Sequence, residues 1–396
     1  MRNVAVVGAG VFPFGRHHDL MYVEMGRPAV NDAIEDAGID RKEIQSCYVG
    51  TTGGVGVGHE IVHECGFIGI PIARLENACN SGTNAFRQAW MEISSGLSDI
   101  SLVIGIEKMK DNSMGTVSGG SGRFQLEMKA IIKNVSMSSF GLMGPPGYFA
   151  LAANRHMNEY GTTKEDLARV VVKSRENAHN NPKAEYQNIM TVDEVLNDKM
   201  INPPLTRCQC TPKSDGAAAI ILMGEKLAKK HTDTPVWIKA STMTSSFITD
   251  LLSNLSAMPN VKSSRMAFDM AKVEANDFYK NGFAEVHDCF SISELLHYED
   301  FGWCKKGEGP KMLNDGITQI DGDFPVNPSG GLLSCGHPLG ATGVRQIAEI
   351  FFQMRKDKEV AKRQVPDESL NIALTHTMGQ PMLGFTSCVN IFSRDL

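Results

Sequence analysis

"CNSGTNAFRQAW" (79–90) and "HPLGATGVRQIA" (337–348) repeat one pattern in the two halves of the chain. A single offset of 258 residues (345 less 87) lays Arg87-Gln88 on Arg345-Gln346, Gly82 on Gly340 and Cys79 on His337. Read as a duplication, this predicts two similar halves related by a pseudo-twofold axis. The axis would bring a cysteine and a histidine together from equivalent helix entrances.

Around these stretches the local signals agree. In "NPSGGLLSCGHPLGATGVRQIAEI" (327–350), Gly336, Gly340, Gly343 and Pro338 favour a tight loop before an amphipathic helix. His337 sits in that loop, where glycine neighbours let a substrate approach the backbone. Cys79 precedes the first turn of its own helix in "LENACNSGTNAF" (75–86). A free cysteine is commonly just a small buried hydrophobe, so Cys79 needs support from elsewhere in the chain. "HDCF" (287–290) supplies it: the motif follows the strand-like "FAEV", and sheet proteins place chemistry just beyond the carboxyl ends of strands.

Composition narrows the classes. With 396 residues there is room for two domain-sized units. A net charge of −6 and the lack of a basic, aromatic-studded stripe argue against nucleic-acid binding. No apolar run approaches the roughly 18–20 residues that cross a bilayer, so no membrane association is expected. The start, "MRNVAVVGAGVF", reads as a buried strand entering a turn at its glycines and Pro13, not as a signal peptide, and "SRDL" carries no sorting address. Nine cysteines scattered irregularly from Cys47 to Cys388 suit a reducing, cytoplasmic setting. "CQC" (208–210) is too tight for a usual zinc site and is read as packing.

β-Branched runs alternate with helical stretches, which predicts an α/β fold with mainly parallel sheets. The strands are placed at 4–9, 101–106, 218–223, 236–241, 283–288 and 371–376. Helices are placed at 24–37, 83–95, 147–160, 164–179, 265–280 and 343–355. The irregular stretch 107–206 holds "SGGSG" (118–122), "GPPG" (144–147) and Met109, Met114, Met128, Met137 and Met143, which suit an adaptable apolar lining. The Lys-rich "GEKLAKKHTDTP" (224–235) reads as a connection, which divides the chain into 1–230 and 231–396.

Two tempting motifs fail. "VVGAGVFPFG" (6–15) resembles a dinucleotide fingerprint, but Pro13 stands where the third glycine belongs. "HEIVH" (59–63) matches H-E-x-x-H, but Gly69 stands where the third histidine of the longer protease motif would be. His59 and His63 are read as ordinary polar residues on a short helix.

"NACNSG", "SDGAAA" (214–219), "HDCFS", "NPSGG" and "GHPLGATG" together resemble the thiolase superfamily, in particular its sterol-carrier-protein type with archaeal and bacterial relatives. The resemblance spans the whole chain. It implies a duplicated five-layer αβαβα fold with a loop domain, about 107–206, inserted in the first half. It implies Cys79 as the acyl-accepting nucleophile, its pKa lowered by the helix dipole and a nearby imidazole. His337 would take the Cys79 proton and help hold a thioester oxyanion. Cys289 would remove or return the α-proton. His287 would orient a water toward the enolate oxygen, and the backbone N–H groups of Cys79 and Gly379 would form a second oxyanion hole. Coenzyme A enters as co-substrate, with no covalently bound cofactor and no metal. A dimer or tetramer is implied, joined in a hetero-oligomer by a small zinc-ribbon and OB-fold subunit.

In many thiolases the acid/base cysteine lies in a C-terminal C-x-G loop; the matching stretch here is "HTMGQP" (376–381), with Thr377 at the cysteine position. That assigns the role to Cys289. Thr377 and Gln380 are unusual even among the HDCF class, and they point to a pocket of altered shape. A bulky 3-oxoacyl-CoA such as benzoylsuccinyl-CoA, from aromatic degradation, therefore stands beside acetoacetyl-CoA as a substrate. His297 and Trp303 are read as surface features. Two alternatives stay open: a ketoacyl-synthase-like enzyme using Cys79, His287 and His337 with Cys289 idle, and a silent acyl-CoA-binding scaffold.

Overall fold

The structure, a computed structural model, describes residues 2–54, 56–109, 144–247, 258–379 and 384–396. The first half contributes β1 (Val4–Gly15), β2 (Ser46–Gly50), β3 (Ile72–Leu75) and β4 (Ile100–Glu107). After a small hairpin of β5 (Met200–Asn202) and β6 (Leu205–Thr206) comes β7 (Asp215–Gly224). The second half contributes β8 (Val236–Phe247), β9 (Gly282–Glu285), β10 (Ile372–Gly379) and β11 (Gly384–Ser393).

The strands stand in the order β3-β2-β4-β7-β1-β8-β11-β10-β9. Within this run β1 and β8 meet over only two pairs, Ala5 with Trp237 and Val6 with Val236. On either side of that seam the halves repeat each other. β2–β4 and β9–β10 are parallel, while β4–β7, β7–β1, β10–β11 and β11–β8 are antiparallel. The parallel bridge from Ala284 to Val326 stands where β3 pairs with β2 in the first half. The duplication expected from one short alignment is thus visible in strand order and direction.

The sheets are mixed, which corrects the expectation of mainly parallel ones. β11 returns from β10 across residues 380–383, and a connection that short can join only antiparallel strands. β7 is the matching return strand of the first half. Between it and β4 lie the helices α4 (Gly144–Tyr160), α5 (Lys164–Ala178) and α6 (Val192–Leu196), which follow α1 (Tyr22–Ala37), α2 (Val57–Glu64) and α3 (Ser81–Ser95). The remaining helices are α7 (Glu225–His231), α8 (Met258–Ala271), α9 (Ser291–Asp300), α10 (Gly309–Asn314), α11 (Gly331–Cys335) and α12 (Thr342–Arg355).

Three apolar cores account for five layers. In β7, Ala217, Ala219, Ile221 and Met223 face an outer core with α1, while Ala218, Ile220 and Leu222 face a central core with α3 and α12. That period of two explains why β7 reads as one unbroken apolar run: both of its faces are covered. The central core takes in Phe283, Ala373 and Phe392 from the second sheet, whose outer face packs on α4, α5 and α9. The Lys173 ammonium of α5 is clasped to Glu294 of α9 at 2.6 Å, with both side chains fully buried. Lys173 also donates to the Tyr298 hydroxyl and the Val326 carbonyl, each at 3.1 Å, so the buried charge keeps its partners.

Several boundaries moved. β1 continues through Pro13 to Gly15, with a register shift between Phe12 and Gly15 that accommodates the proline. Gly8 and Gly10 of the discarded fingerprint let α1 lie close: a Cβ at either would overlap a carbonyl of α1, Ala33 or Ala29. The helix expected at 265–280 is α8, which begins at Met258 with Pro259 in its first turn and ends at Ala271 before Lys272, at φ 60°. The strand expected at 283–288 ends at Glu285, because the Val286 amide donates to Asn327 Oδ1 at 2.7 Å. β11 was not foreseen. Its Ser387 and Asn390 look like loop residues but are buried and bonded to Ser263 and Ser241, each at 2.7 Å. Met114, Met128, Met137 and Met143 and "SGGSG" lie outside the described residues.

Gly82 and Gly340, equivalent by the sequence offset, touch each other where α3 and α12 begin. A Cβ on Gly82 would overlap the Gly340 carbonyl, and one on Gly105 would lie 2.5 Å from the same oxygen. Gly82→Ala should therefore destabilise by about 1–3 kcal/mol, as overpacking against backbone does. The urea midpoint measures it; an unchanged midpoint would mean the halves separate freely there.

Candidate active site

Four loops converge where the halves meet. The first runs from β3 into α3. Ala78 is held at φ 48°, a left-handed conformation uncommon for a residue other than glycine, and Cys79 follows two residues before the helix. The Ser81 hydroxyl pins this bend by accepting from the Asn77 amide at 2.9 Å and donating to the Ala78 carbonyl at 2.7 Å. Asn80 Nδ2 donates across the halves to Thr386 Oγ1 at 2.8 Å. Cys79 is half-buried.

The end of β10 closes over this bend. A Cβ on Gly379 would stand 2.6 Å from the Asn77 carbonyl and 3.2 Å from the Asn80 nitrogen. Gly379 is thus beside the Cys79 loop, with no room for a side chain.

The third loop joins α11 to α12. The His337 amide donates to Ser214 Oγ at 3.3 Å, and that hydroxyl donates in turn to Glu185. Ser214 opens the "SDGAAA" stretch, so this motif holds the histidine loop. Glu107, at the end of β4, accepts from the Gly340 amide at 3.2 Å and from the Thr52 amide at 2.8 Å. Burial pushes the Glu107 carboxyl up to about 7 against these donors.

Thr342 Oγ1 lies 2.7 Å from Nδ1 of His337 and 3.0 Å from the Pro338 carbonyl. With Nδ1–H donating to Thr342 and the Thr342 hydroxyl donating to Pro338, every hydrogen in the chain has an acceptor and the lone pair lies on Nε2, a buried atom without a partner. Burial, and then the Arg345 charge, push this ring down to about 3, so it is neutral at ordinary pH. Sequence reasoning expected a nearby imidazole to draw Cys79 toward the thiolate; the ring next to it instead offers a neutral lone pair. Thr342→Val should lower turnover on the order of 10²-fold by freeing the tautomer, with unchanged thermal unfolding. The rate of Cys79 acylation should also be flat between about pH 5 and 7, since a ring titrating near 3 stays deprotonated across that range. A limb centred near 6.5 would show an ordinary imidazole.

The fourth loop follows β9. His287 and Cys289 are buried, and Cys289 comes two residues before α9. The Cys289 thiol lies 3.7 Å from Ser293 Oγ, and its carbonyl accepts from the Thr211 amide at 3.1 Å. Burial pushes that thiol well above its ordinary value, with the nearby Cys79 sulfur adding to the rise, so Cys289 rests protonated. Burial and the rings of His337, His376 and His297 hold His287 well below the usual imidazole range.

One donor atom each from Cys79, His287 and His337 lies within 4.8 Å of the others. Among the described residues this is the one His/Cys/Asp/Glu group compact enough to share a metal ion, and it does not include His59 or His63. Both of those are exposed on α2. The five residues singled out in the sequence, Cys79, His287, Cys289, His337 and Gly379, are brought to one place. Thr342, Asn260 and His376 were missed. Thr342 stood in "GHPLGATG" at a helix entrance, where threonine commonly caps, and that was the available signal.

One expectation is overturned. His297 and Trp303 are buried, at 2% and 3% exposure: His297 packs against Asn260, Phe301 and His376, and Trp303 among Phe278, Tyr298, Phe301 and Phe324. Thr377 is fully buried, and its hydroxyl meets that of Thr83 in α3 at 2.7 Å. Gln380 lies outside the described residues. No helix among the described residues is long and apolar enough to cross a membrane.

Residues 4–226 match the family model for the thiolase N-terminal domain, and residues 240–394 match the thiolase C-terminal domain-like model. The chain belongs to the thiolase family and is an acyltransferase. It is 42% identical to the acetyl-CoA acetyltransferase of Methanothermobacter thermautotrophicus, with both chains fully covered. It is 32% identical to the benzoylsuccinyl-CoA thiolase subunit BbsB of Thauera aromatica, covering 96% of this chain and 95% of that one. The solved Ltp2–ChsH2(DUF35) aldolase shares the fold, with a TM-score of 0.81 at 22% identity over 99% of this chain and 98% of that one.

Proposed function

We propose that the protein makes or cleaves the C–C bond of a 3-oxoacyl-CoA through an acyl-Cys79 intermediate. The observation that carries this reading is the unpartnered Nε2 lone pair of His337 in one compact group with the Cys79 sulfur. In the cleavage direction Cys79 attacks the 3-oxo carbon as His337 Nε2 takes the thiol proton. The bond between C2 and C3 breaks, and its electron pair forms the enolate of the departing acyl-CoA. Cys289, resting as a thiol, protonates C2. A water held by His287 donates to the enolate oxygen. The thiol of CoA then attacks the acyl-Cys79 carbonyl, whose oxyanion is held by the N–H groups of Cys79 and Gly379, and Cys79 leaves; the CoA proton and the one held by His337 restore the Cys289 and Cys79 thiols.

Acetoacetyl-CoA is the favoured substrate. The relative at 42% identity over its full length is an acetyl-CoA acetyltransferase, which supports this choice. We place the chain in the cytoplasm on its cysteine usage and the division between halves near residue 230. We infer a second subunit beside a thiolase dimer or tetramer. BbsB is named as a subunit, and the Ltp2 structure includes ChsH2(DUF35), which supports that reading.

The test is CoA-dependent cleavage of acetoacetyl-CoA beside benzoylsuccinyl-CoA, with and without a zinc-ribbon/OB-fold subunit and with Cys79→Ala as the blank. Rapid acetoacetyl-CoA turnover is expected. Turnover confined to the bulky substrate would assign a degradative role instead, and silence on both would overturn the reading.

A further inference from the structure

We propose that His376 is a positioning residue that holds the His287 ring in the tautomer protonated at Nδ1, with Asn260 fixing His376 in turn. The inference rests on the thiolase reading of His287.

The chain of hydrogen bonds starts with groups whose roles leave no choice. Asp300 Oδ2 accepts from Asn260 Nδ2 at 3.3 Å. The His287 carbonyl accepts from His297 Nε2 at 3.0 Å, so that ring carries its hydrogen on Nε2. His297 Nδ1 therefore accepts, and its donor is again Asn260 Nδ2, at 3.2 Å. Two independent acceptors thus set the Asn260 amide. Its Oδ1 faces His376 Nε2 at 3.0 Å and must accept from it. His376 Nε2 carries the hydrogen, and Nδ1 is left with a lone pair.

That lone pair has no partner. His376 is fully buried, its ring stacks edge-on against Phe301 and His297, and Nδ1 contacts no donor. The neighbouring His287 ring stands 6.3 Å away, centroid to centroid, at 81°, and its own Nδ1 is likewise buried without a partner. Buried polar atoms are rarely left unmatched, and two complementary ones on adjacent rings answer each other. A hydrogen on His287 Nδ1 given directly to the His376 lone pair satisfies both, through a slight closure of the two rings.

The consequence falls on the reacting side. Both rings are neutral, and a neutral imidazole carries one N–H. Holding it at Nδ1 leaves a lone pair on His287 Nε2. A water that gives one hydrogen to that lone pair turns its other hydrogen to the enolate oxygen. His376 touches no reacting atom; it selects the tautomer that does the orienting.

Two substitutions separate this role from packing. His376→Gln keeps a donor for Asn260 Oδ1 and loses the acceptor at the δ position, while His376→Asn keeps a δ-position acceptor and loses the bond to Asn260. The positioning role ranks Asn above Gln; a purely structural role ranks Gln above Asn. Acylation of Cys79 by acetyl-CoA, followed by intact-protein mass, should stay within about twofold of the parent in His376→Gln. The C–C step should fall on the order of 10²-fold and be largely restored in His376→Asn. Equal losses in both, or loss of acylation as well, would overturn the inference.

If either variant fails to fold, nitrogen-15 histidine spectra of the parent decide the matter, with the His287 signals identified by their loss in His287→Asn. A hydrogen on His287 Nδ1 supports the proposal, and one on Nε2 overturns it. A parent that never forms acyl-Cys79 would instead sink the thiolase reading, whatever the tautomer.

Discussion

Cys79→Ala should abolish turnover, with the rate falling on the order of 10⁴-fold or more, because no neighbouring group can replace the lost sulfur. Cys289 is buried and rests protonated, so it does not substitute as nucleophile. Cys79 is half-buried in a bend that Ser81 and Asn80 hold from outside the side chain, so stability should change little. The measurement pairs steady-state cleavage with urea unfolding. Acyl transfer from labelled acetyl-CoA gives the covalent intermediate directly: the parent should carry it and the variant should not. A variant that still forms an acyl-enzyme would move the nucleophile elsewhere and undo the assignment.

Cys289→Ala should separate the two halves of the reaction. Acylation of Cys79 by acetyl-CoA needs the nucleophile, His337 and the N–H pair, none of which the substitution removes. The C–C step needs a proton delivered to or taken from C2, and loss of a positioned acid or base costs about 10²–10⁴-fold. The expected result is near-parental acylation with condensation and cleavage reduced by that factor. Its geometry favours a proton donor at rest, since burial holds the thiol neutral and Ser293 lies 3.7 Å from the sulfur. Retention of most activity would favour the ketoacyl-synthase alternative, in which Cys79, His287 and His337 suffice.

The chemistry-bearing residues were legible because each stood in a short motif at a helix entrance or strand end. Cys79, His287, Cys289 and His337 could be chosen from local context, and the offset linking Cys79 to His337 anticipated their meeting. The residues that set proton positions could not be found in this way. Thr342 matters because its hydroxyl stands between the His337 Nδ1 and the Pro338 carbonyl. Asn260 matters because Asp300 and His297 orient its amide. Such roles depend on the third partner in each contact, and sequence spacing carries no trace of it. His297 and Trp303 were misjudged for a related reason: polarity and position suggested a surface, but Asn260, Phe278, Phe324 and His376, distant in sequence, close over them.

From the sequence alone came the duplicated α/β plan, the two cysteines and two histidines, and the rejection of a dinucleotide fingerprint at Pro13. Those are matters of residue type, spacing and local conformational preference. Tertiary structure alone decided that the sheets are mixed, that Gly82 and Gly340 meet across the halves, and that His337 presents a neutral Nε2 lone pair. The glycine contact joins residues 258 positions apart, and the state of His337 follows from burial by several elements at once. Strand direction follows from which segments return across short connections, and a buried proton follows from which partners remain to accept it.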